Sequence, residues 1–327
     1  MVKRLRGFGI VFILLALSFV ALGSEWAHAQ RYPNRPLQMI VPWAAGGGTD
    51  RVARMIALLL ERELGQPVNV VNRTGGSGAI GHTAMAVARP DGYTLGMVTL
   101  EITMMHWLGL AQVKPSDLRA VALMNFDPAG ITVRVDAPWN TVEELLDYIK
   151  AHPGELRASG TGRGGSWDVA RAGLLDVLGL PETALPWVPS EGAAPALQDL
   201  VAGGVDVVTA SLAEAATLIE AGRVKALAIM ADERDALFPD VPTLKEKGID
   251  WSMGVWRGIV VPRNTPDEVV RILEAALEKV YNSQEYQDFM RANGFGMAWR
   301  NADDFQVYME QTDAQMGELM RKVGLAR

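Results

Sequence analysis

Two glycine-rich stretches hold the residues whose types and spacing could do chemistry. The first is Trp43-Ala-Ala-Gly-Gly-Gly-Thr-Asp50, that is Trp43, Ala44, Ala45, Gly46, Gly47, Gly48, Thr49 and Asp50. The second runs from Ser159 through Thr161 and Gly165 to Ser166 and Trp167. Each follows a short apolar run and precedes apolar residues at helical spacing, so each reads as strand, glycine loop, helix start. Such a junction aims backbone N–H groups and the positive end of a helix at one spot, which suits an anion. Thr49 and Asp50 are N-cap residue types. Ser190 and Glu191 sit in a third loop, Pro189-Ser-Glu-Gly192, which also feeds a helix, and Ser211 opens another.

Other chemistries fit these residues less well. Gly76-Ser-Gly78-Ala-Ile-Gly81 matches G-x-G-x-x-G after a strand, with Glu101 20 residues on, the pattern of a dinucleotide fingerprint. Asn72-Arg73-Thr74 lengthens that turn, and export in an unfolded state argues against a cytoplasmic cofactor; the glycines are expected to let the loop approach a neighbour or ligand closely. Neither main loop contains G-K-[ST], so there is no P-loop. Ser77 and Ser166 lack the second glycine of G-x-S-x-G, and no spacing ties His82, His106 or His152 to a serine. Scattered histidines and the absence of cysteine give no transition-metal pattern. No cofactor and no metal are expected. Trp43 and Trp167 line a cleft or simply pack. Arg73 and Arg163 are ligand contacts or solvated loop charges. Glu101, an acid at a strand's carboxyl end, either binds an amino or hydroxyl group of a ligand or caps a helix.

The elements around these residues alternate. Leu37 to Val41, Val68 to Val71 and Tyr93 to Leu100 read as strands, with helices from about Asp50 to Leu64 and on to about Ala88. Leu118 to Met124 and Gly130 to Val135 read as strands flanking Asn125-Phe-Asp-Pro128. Thr141-x-x-Glu144 is a capping box. Leu156 to Ala158, Ala184 to Val188, Val205 to Val208, Ala226 to Met230 and Val255 to Val261 complete the strands. Thr265-Pro266-x-Glu268 opens a helical tail reaching Arg327. Alternation of this kind means an α/β fold with mainly parallel sheets covered on both faces. The two glycine loops lie about 115 residues apart, so two facing α/β lobes would bring both anion seats to one cleft.

Residues 1–29 read as a removed signal peptide: Lys3, Arg4 and Arg6, an apolar stretch from Phe8 to Leu22, and Ala27-His28-Ala29 before Gln30. Cleavage would leave 298 of the 327 residues, with the net charge moving from −7 to −9 because the leader carries +2. That balance excludes a basic nucleic-acid stripe. With no cysteine, disulfides, thiol catalysis and lipid attachment through a thiol are excluded.

From Tyr32-Pro-Asn-Arg-Pro to Asp50 the chain resembles the Bug-type extracytoplasmic receptors, the solute-binding proteins of tripartite tricarboxylate transporters. The likeness continues through Gly65-Gln-Pro-Val68, Asn72-Arg73, Pro90-Asp-Gly-Tyr-Thr-Leu95, Pro195-Ala-Leu-Gln-Asp-Leu200, Pro239-Asp-Val-Pro-Thr243 and Trp256-Arg-Gly258. The resemblance implies a type II periplasmic-binding-protein fold: lobe 1 from 30–127 plus 255–327, lobe 2 from 128–254, crossings near Asp127 and Gly254. It implies a non-enzymatic, monomeric periplasmic receptor whose first loop and whose Ser159–Trp167 and Ser190–Gly192 loops grip a small carboxylate for a membrane permease. A sensing receptor and an exported carboxylate-acting enzyme are the alternatives. Three departures from the usual pattern bear on ligand identity: Ala45-Gly46-Gly47, Gly164-Gly-Ser-Trp-Asp168 and Ser190-Glu191-Gly192.

Overall fold

The computed structural model describes residues 32–322 and 324–326; the expected signal peptide lies outside them. The apolar run Leu37–Val41 forms β1, with only Gln38 partly exposed. It lies between β2 (Val68–Asn72) and β3 (Thr94–Thr99), parallel to both. The crossovers are α1 (Gly48–Leu64) and α2 (Ala79–Ala86). Val52, Ile56, Leu59 and Leu60 make the buried stripe of α1. The helix ends at Gly65, whose φ of +66° is left-handed and whose N–H donates to Glu61 O.

β4 (Leu118–Pro128) carries the chain out of this sheet, and β5 (Gly130–Arg134) begins a second one. The second sheet adds β6 (Ala158–Ser159), β7 (Val207–Val208) and β8 (Val224–Ile229). Its helices are α3 (Val142–Ala151), α4 (Ser166–Val177), α5 (Ala193–Ala202) and α6 (Leu212–Glu220). β9 (Gly254–Pro262) returns to the first sheet. Then come α7 (Asp267–Asn282), α8 (Gln284–Ala292), β10 (Met297–Arg300) and α9 (Ala302–Lys322). The strand orders are β10-β4-β9-β3-β1-β2 and β6-β7-β5-β8. Where the chain passes between the sheets, Ala129 N–H donates to Met253 O, Met230 N–H to Ala129 O and Met253 N–H to Met230 O, at 2.7–3.0 Å.

The fold is α/β with two sheets, but the expected mainly parallel pairing needs correction. β9 runs antiparallel to both β3 and β4, β10 to β4, and β5 to both β7 and β8. The reason is topological: a strand that leaves a sheet and one that returns beside it must point opposite ways.

Other expectations also change. The N-cap of α1 is Gly47, not Thr49 or Asp50, because the chain turns at Gly46, whose φ of +83° suits glycine, so the helix begins at Gly48. Asp50 instead reaches back from the first turn to accept Gly46 N–H at 2.9 Å. Asn125-Phe-Asp-Pro128 is no break: β4 runs through it, its polar Asn125 and Asp127 buried and paired with β9. Ala184 to Val188 forms no strand, only a bridge from Trp187 to Ala158, since Pro186 and Pro189 supply no N–H groups. Thr265 does not cap α7; its hydroxyl donates to Pro262 O, and Pro266 occupies the N-cap position. The tail is not all helix, because Gly294 and Gly296 break it ahead of β10. The capping box forms: Glu144 N–H donates to Thr141 Oγ1 at 3.2 Å and Thr141 N–H to Glu144 at 3.3 Å.

Candidate ligand-binding site

The loop after β1, the loop after β6, the start of α5, the first turn of α6 and the middle of β9 enclose one small cavity of about 20 Å³. That is room for roughly one water molecule. Nine of the residues expected from sequence line it: Trp43, Ala44, Gly47, Gly48 and Thr49 from the first loop, then Glu101, Thr161, Ser166 and Trp167.

The others lie elsewhere. Ala45 and Gly46 are exposed at the rim. Asp50 is buried behind the loop and braces it, accepting from Gly46 N, Asn72 Nδ2 and Arg54 Nε, each at 2.9 Å. Burial alone would raise its pKa, but these bonds outweigh it and hold the carboxyl below the usual range. The Ser159 hydroxyl donates to Val188 O, and Gly165 is the N-cap of α4. Ser190 and Glu191 line a separate outer groove of about 370 Å³ with Trp43 and Gly75 to Gly78. Ser211 caps α6, accepting from Glu214 N–H. Arg163 pairs with Glu182 at 2.9 Å on the surface, and Arg73 is exposed; neither lines the cavity.

Two charged residues absent from the sequence-based set dominate the cavity wall. Arg257, on β9, is 1% exposed. Its Nε donates to Thr49 Oγ1 at 3.0 Å, Nη1 to Asn125 Oδ1 at 2.5 Å and to Asp127, and Nη2 to Glu214 Oε1 at 3.3 Å. Burial alone would lower its pKa; Asp127 and Glu214 more than reverse that, so it stays cationic. Glu214, in the first turn of α6, accepts Gly48 N–H at 3.1 Å. Burial pushes its carboxyl pKa up against the pull of Arg257. A charged residue inside the otherwise apolar run Val255 to Val261 was the available sign for Arg257; Glu214 reads as an ordinary helix-start acid. Gly192, Ala193, Ala194 and Val255 complete the wall.

Glu101 lies in a turn of 3₁₀ helix after β3. Its Oε1 accepts Ser166 N–H at 3.0 Å and the Ser166 hydroxyl at 2.5 Å, and Oε2 accepts the Thr99 hydroxyl at 2.5 Å. Thr99 in turn accepts Trp43 Nε1–H at 3.2 Å, and its own N–H donates to His82 Nε2 at 3.2 Å. The Ser166 hydroxyl therefore donates its hydrogen bond to Glu101, and His82 reaches it only through Thr99 and Glu101. Ser166 thus bonds Glu101 and no histidine, so the direct serine–histidine contact of a hydrolase triad is not formed.

The dinucleotide-like glycines make close approaches. A Cβ at Gly81 would lie 2.6 Å from Pro42 Cα, and one at Gly78, where φ is +87°, would lie 3.1 Å from Trp43. The Ser77 hydroxyl donates to Arg163 O at 2.8 Å, so this loop meets the second glycine loop directly.

The chain matches, over residues 52–325, the family model described as tripartite tricarboxylate transporter family receptor. It is 32% identical to a UPF0065 protein of Bordetella pertussis, covering 95% of this chain and 96% of that one. Among solved structures, the periplasmic binding protein BugD superposes with a TM-score of 0.85 at 31% identity, covering 90% of this chain and 99% of the other. MatC from Rhodopseudomonas palustris with bound malate gives 0.83 at 30% identity, covering 88% and 99%. The two sheets, the paired crossings and the converging glycine loops are thus the type II periplasmic binding fold, and the chain belongs to the tripartite tricarboxylate transporter receptor family, Bug-type solute-binding proteins.

Proposed function

We propose that this protein is a periplasmic receptor that binds a small organic carboxylate between two lobes, 30–127 plus 255–327 and 128–254. It then delivers the acid to the membrane subunits of a tripartite tricarboxylate-type transporter. The observation that carries this reading is the convergence of α1, α4 and the Arg257 guanidinium on one cavity. Two helix N-termini and a buried cation supply the donors a carboxylate uses, here engaged by Glu101, Glu214 and Asp127. A charge-assisted hydrogen bond contributes about 1.5–3 kcal/mol and a helix terminus up to about 2. A few such contacts approach the ~8 kcal/mol of a micromolar ligand. The work is binding, and no step needs a nucleophile or a metal. MatC, a relative, holds malate, which supports an acid of that size.

The cavity of about 20 Å³ is too small for such a ligand, so the lobes part to admit it, turning about the strand crossings at Ala129 and Met253. Thermal denaturation against a panel of mono-, di- and tricarboxylates, amino acids and aromatic acids tests the reading. A genuine ligand raises the melting temperature with the logarithm of its concentration. A flat response to every acid overturns it.

A further inference from the structure

The two helix N-termini that meet at the cavity already carry carboxyl groups, and both belong to this chain. Glu101, from the first sheet, sits on the start of α4 through Ser166 N–H and hydroxyl. Glu214, from the second sheet's α6, sits on the start of α1 through Gly48 N–H. Each glycine-loop seat is filled from the opposite side of the cleft.

The two tenants are not held alike. Glu101 has three donors at 2.5, 2.5 and 3.0 Å. Glu214 has looser contacts: 3.1 Å to Gly48 N, 3.3 Å to Arg257 Nη2 and 3.5 Å from Ser211 Oγ. Burial pushes its carboxyl toward the neutral form, against the pull of Arg257. The wall beside it holds one more sign. Thr161 is 3% exposed and lines the cavity, and its hydroxyl has no hydrogen-bond partner. Orphaned hydroxyls in protein interiors call for a partner.

We propose that Glu214 is a resident stand-in for the ligand carboxylate: an acid from solution takes its place on Gly48 N–H and Arg257 Nη2, while Glu101 keeps the other seat. This rests on the receptor reading above for the incoming acid being the physiological ligand. It also narrows the ligand class. One carboxylate position opens, not two, and the remainder of the ligand meets Glu101 and Thr161. Oε2 of Glu101 accepts from Thr99 alone among the bonds it makes, which leaves one lone pair for a further donor. A second carboxylate there would be repelled, whereas a hydroxyl or ammonium would be bound. The ligand is a monocarboxylate bearing a hydroxyl or amino group.

The test has two arms. In the first, Glu214→Ala opens the seat, and acetate is titrated during thermal denaturation with neutral acetamide as control. Acetate should raise the melting temperature of Glu214→Ala but not of the parent protein, and acetamide should raise neither. The double variant Glu214→Ala/Gly48→Ala should lose the effect, because a Cβ at Gly48 would lie 2.9 Å from Arg257 Nη2. No acetate effect, or one that survives in the double variant, overturns the assignment. In the second arm, glycolate, lactate, alanine, succinate and malate are titrated by calorimetry into the parent and into Glu214→Gln, which keeps the side chain's shape. An acid bound by the parent should bind at least tenfold tighter to Glu214→Gln, with hydroxy and amino monocarboxylates ahead of the two dicarboxylates. If the parent binds an acid that Glu214→Gln binds equally or more weakly, the stand-in falls and the receptor reading stands. If only the variants bind, the stand-in stands and the receptor reading falls. If neither parent nor variant responds in either arm, both fall.

Discussion

Replacing Arg257 by methionine tests the central claim about the site, that one buried cation ties the first sheet to α6. The side chain is 1% exposed and faces Asp127, also 1% exposed, across β4 and β9. Methionine fills similar volume but donates nothing. Asp127 keeps Gly296 N–H at 2.8 Å and Asn125 Nδ2–H at 3.0 Å on Oδ1, yet its Oδ2 loses its cation. Breaking a buried pair by removing one partner costs about 3–5 kcal/mol, because the other charge is left uncompensated. For a chain of this size each kcal/mol shifts the melting temperature by about 2 °C, so a drop of roughly 6–10 °C is expected. Calorimetry and urea titration followed by tryptophan fluorescence measure it. Asp127→Asn/Arg257→Met removes the closer pair but still strips Glu214 of its cation, so it should recover part of the loss and not all of it. A single variant within about 1 kcal/mol of the parent would refute the reasoning. So would a double variant whose cost equals the sum of the two singles.

Three further outcomes follow from local geometry. His82 is fully buried, donates Nδ1–H to Gly78 O at 2.8 Å and accepts Thr99 N–H, and burial holds its pKa below the usual 6.5. The unfolded chain takes up that proton first, so stability is intact above about pH 6.5 and declines as pH falls below it; His82→Gln should remove this part of the slope in urea midpoints measured across that range. Gly81→Ala places a methyl 2.6 Å from Pro42 Cα and 2.8 Å from Arg73 O; with backbone on both sides it should cost about 1–3 kcal/mol in chemical denaturation, and a neutral result would mean the loop is free to retreat. Thr141→Ala removes the N-cap acceptor of α3 and should cost about 1 kcal/mol, whereas an unchanged denaturation midpoint would mean the helix start is not limiting.

Local physics made much of this legible. Leu37 to Val41 could only be a buried strand, and a run of three glycines before Val52 and Ile56 fixed the loop and the helix that point at the cavity. What sequence could not show was side-chain partnership across the fold. Asn125 and Asp127 read only as polar residues between two strands, because their partner Arg257 lies about 130 residues away. Glu214 is an unremarkable helix-start acid until α6 is placed against Gly48, 166 residues distant. Ser190 and Glu191, also in a glycine loop, line the outer groove beside Trp43, and Glu191 O accepts Ala44 N–H of the first loop, a placement no local pattern shows. Loop chemistry is written within about ten residues, and the wall of a cleft between two sheets is not.

The place of β9 in the first sheet has a kinetic consequence. β3 and β4 are its neighbours on either side, yet residues 254–262 emerge from the ribosome more than 120 residues after β4 ends. Until then the slot between β3 and β4 is unfilled, and Val98 and Leu123 lack the strand that both face. Pairings this distant in sequence are slow to form. The second sheet, whose strands all lie within residues 130–229, can therefore form before the first sheet is closed by β9.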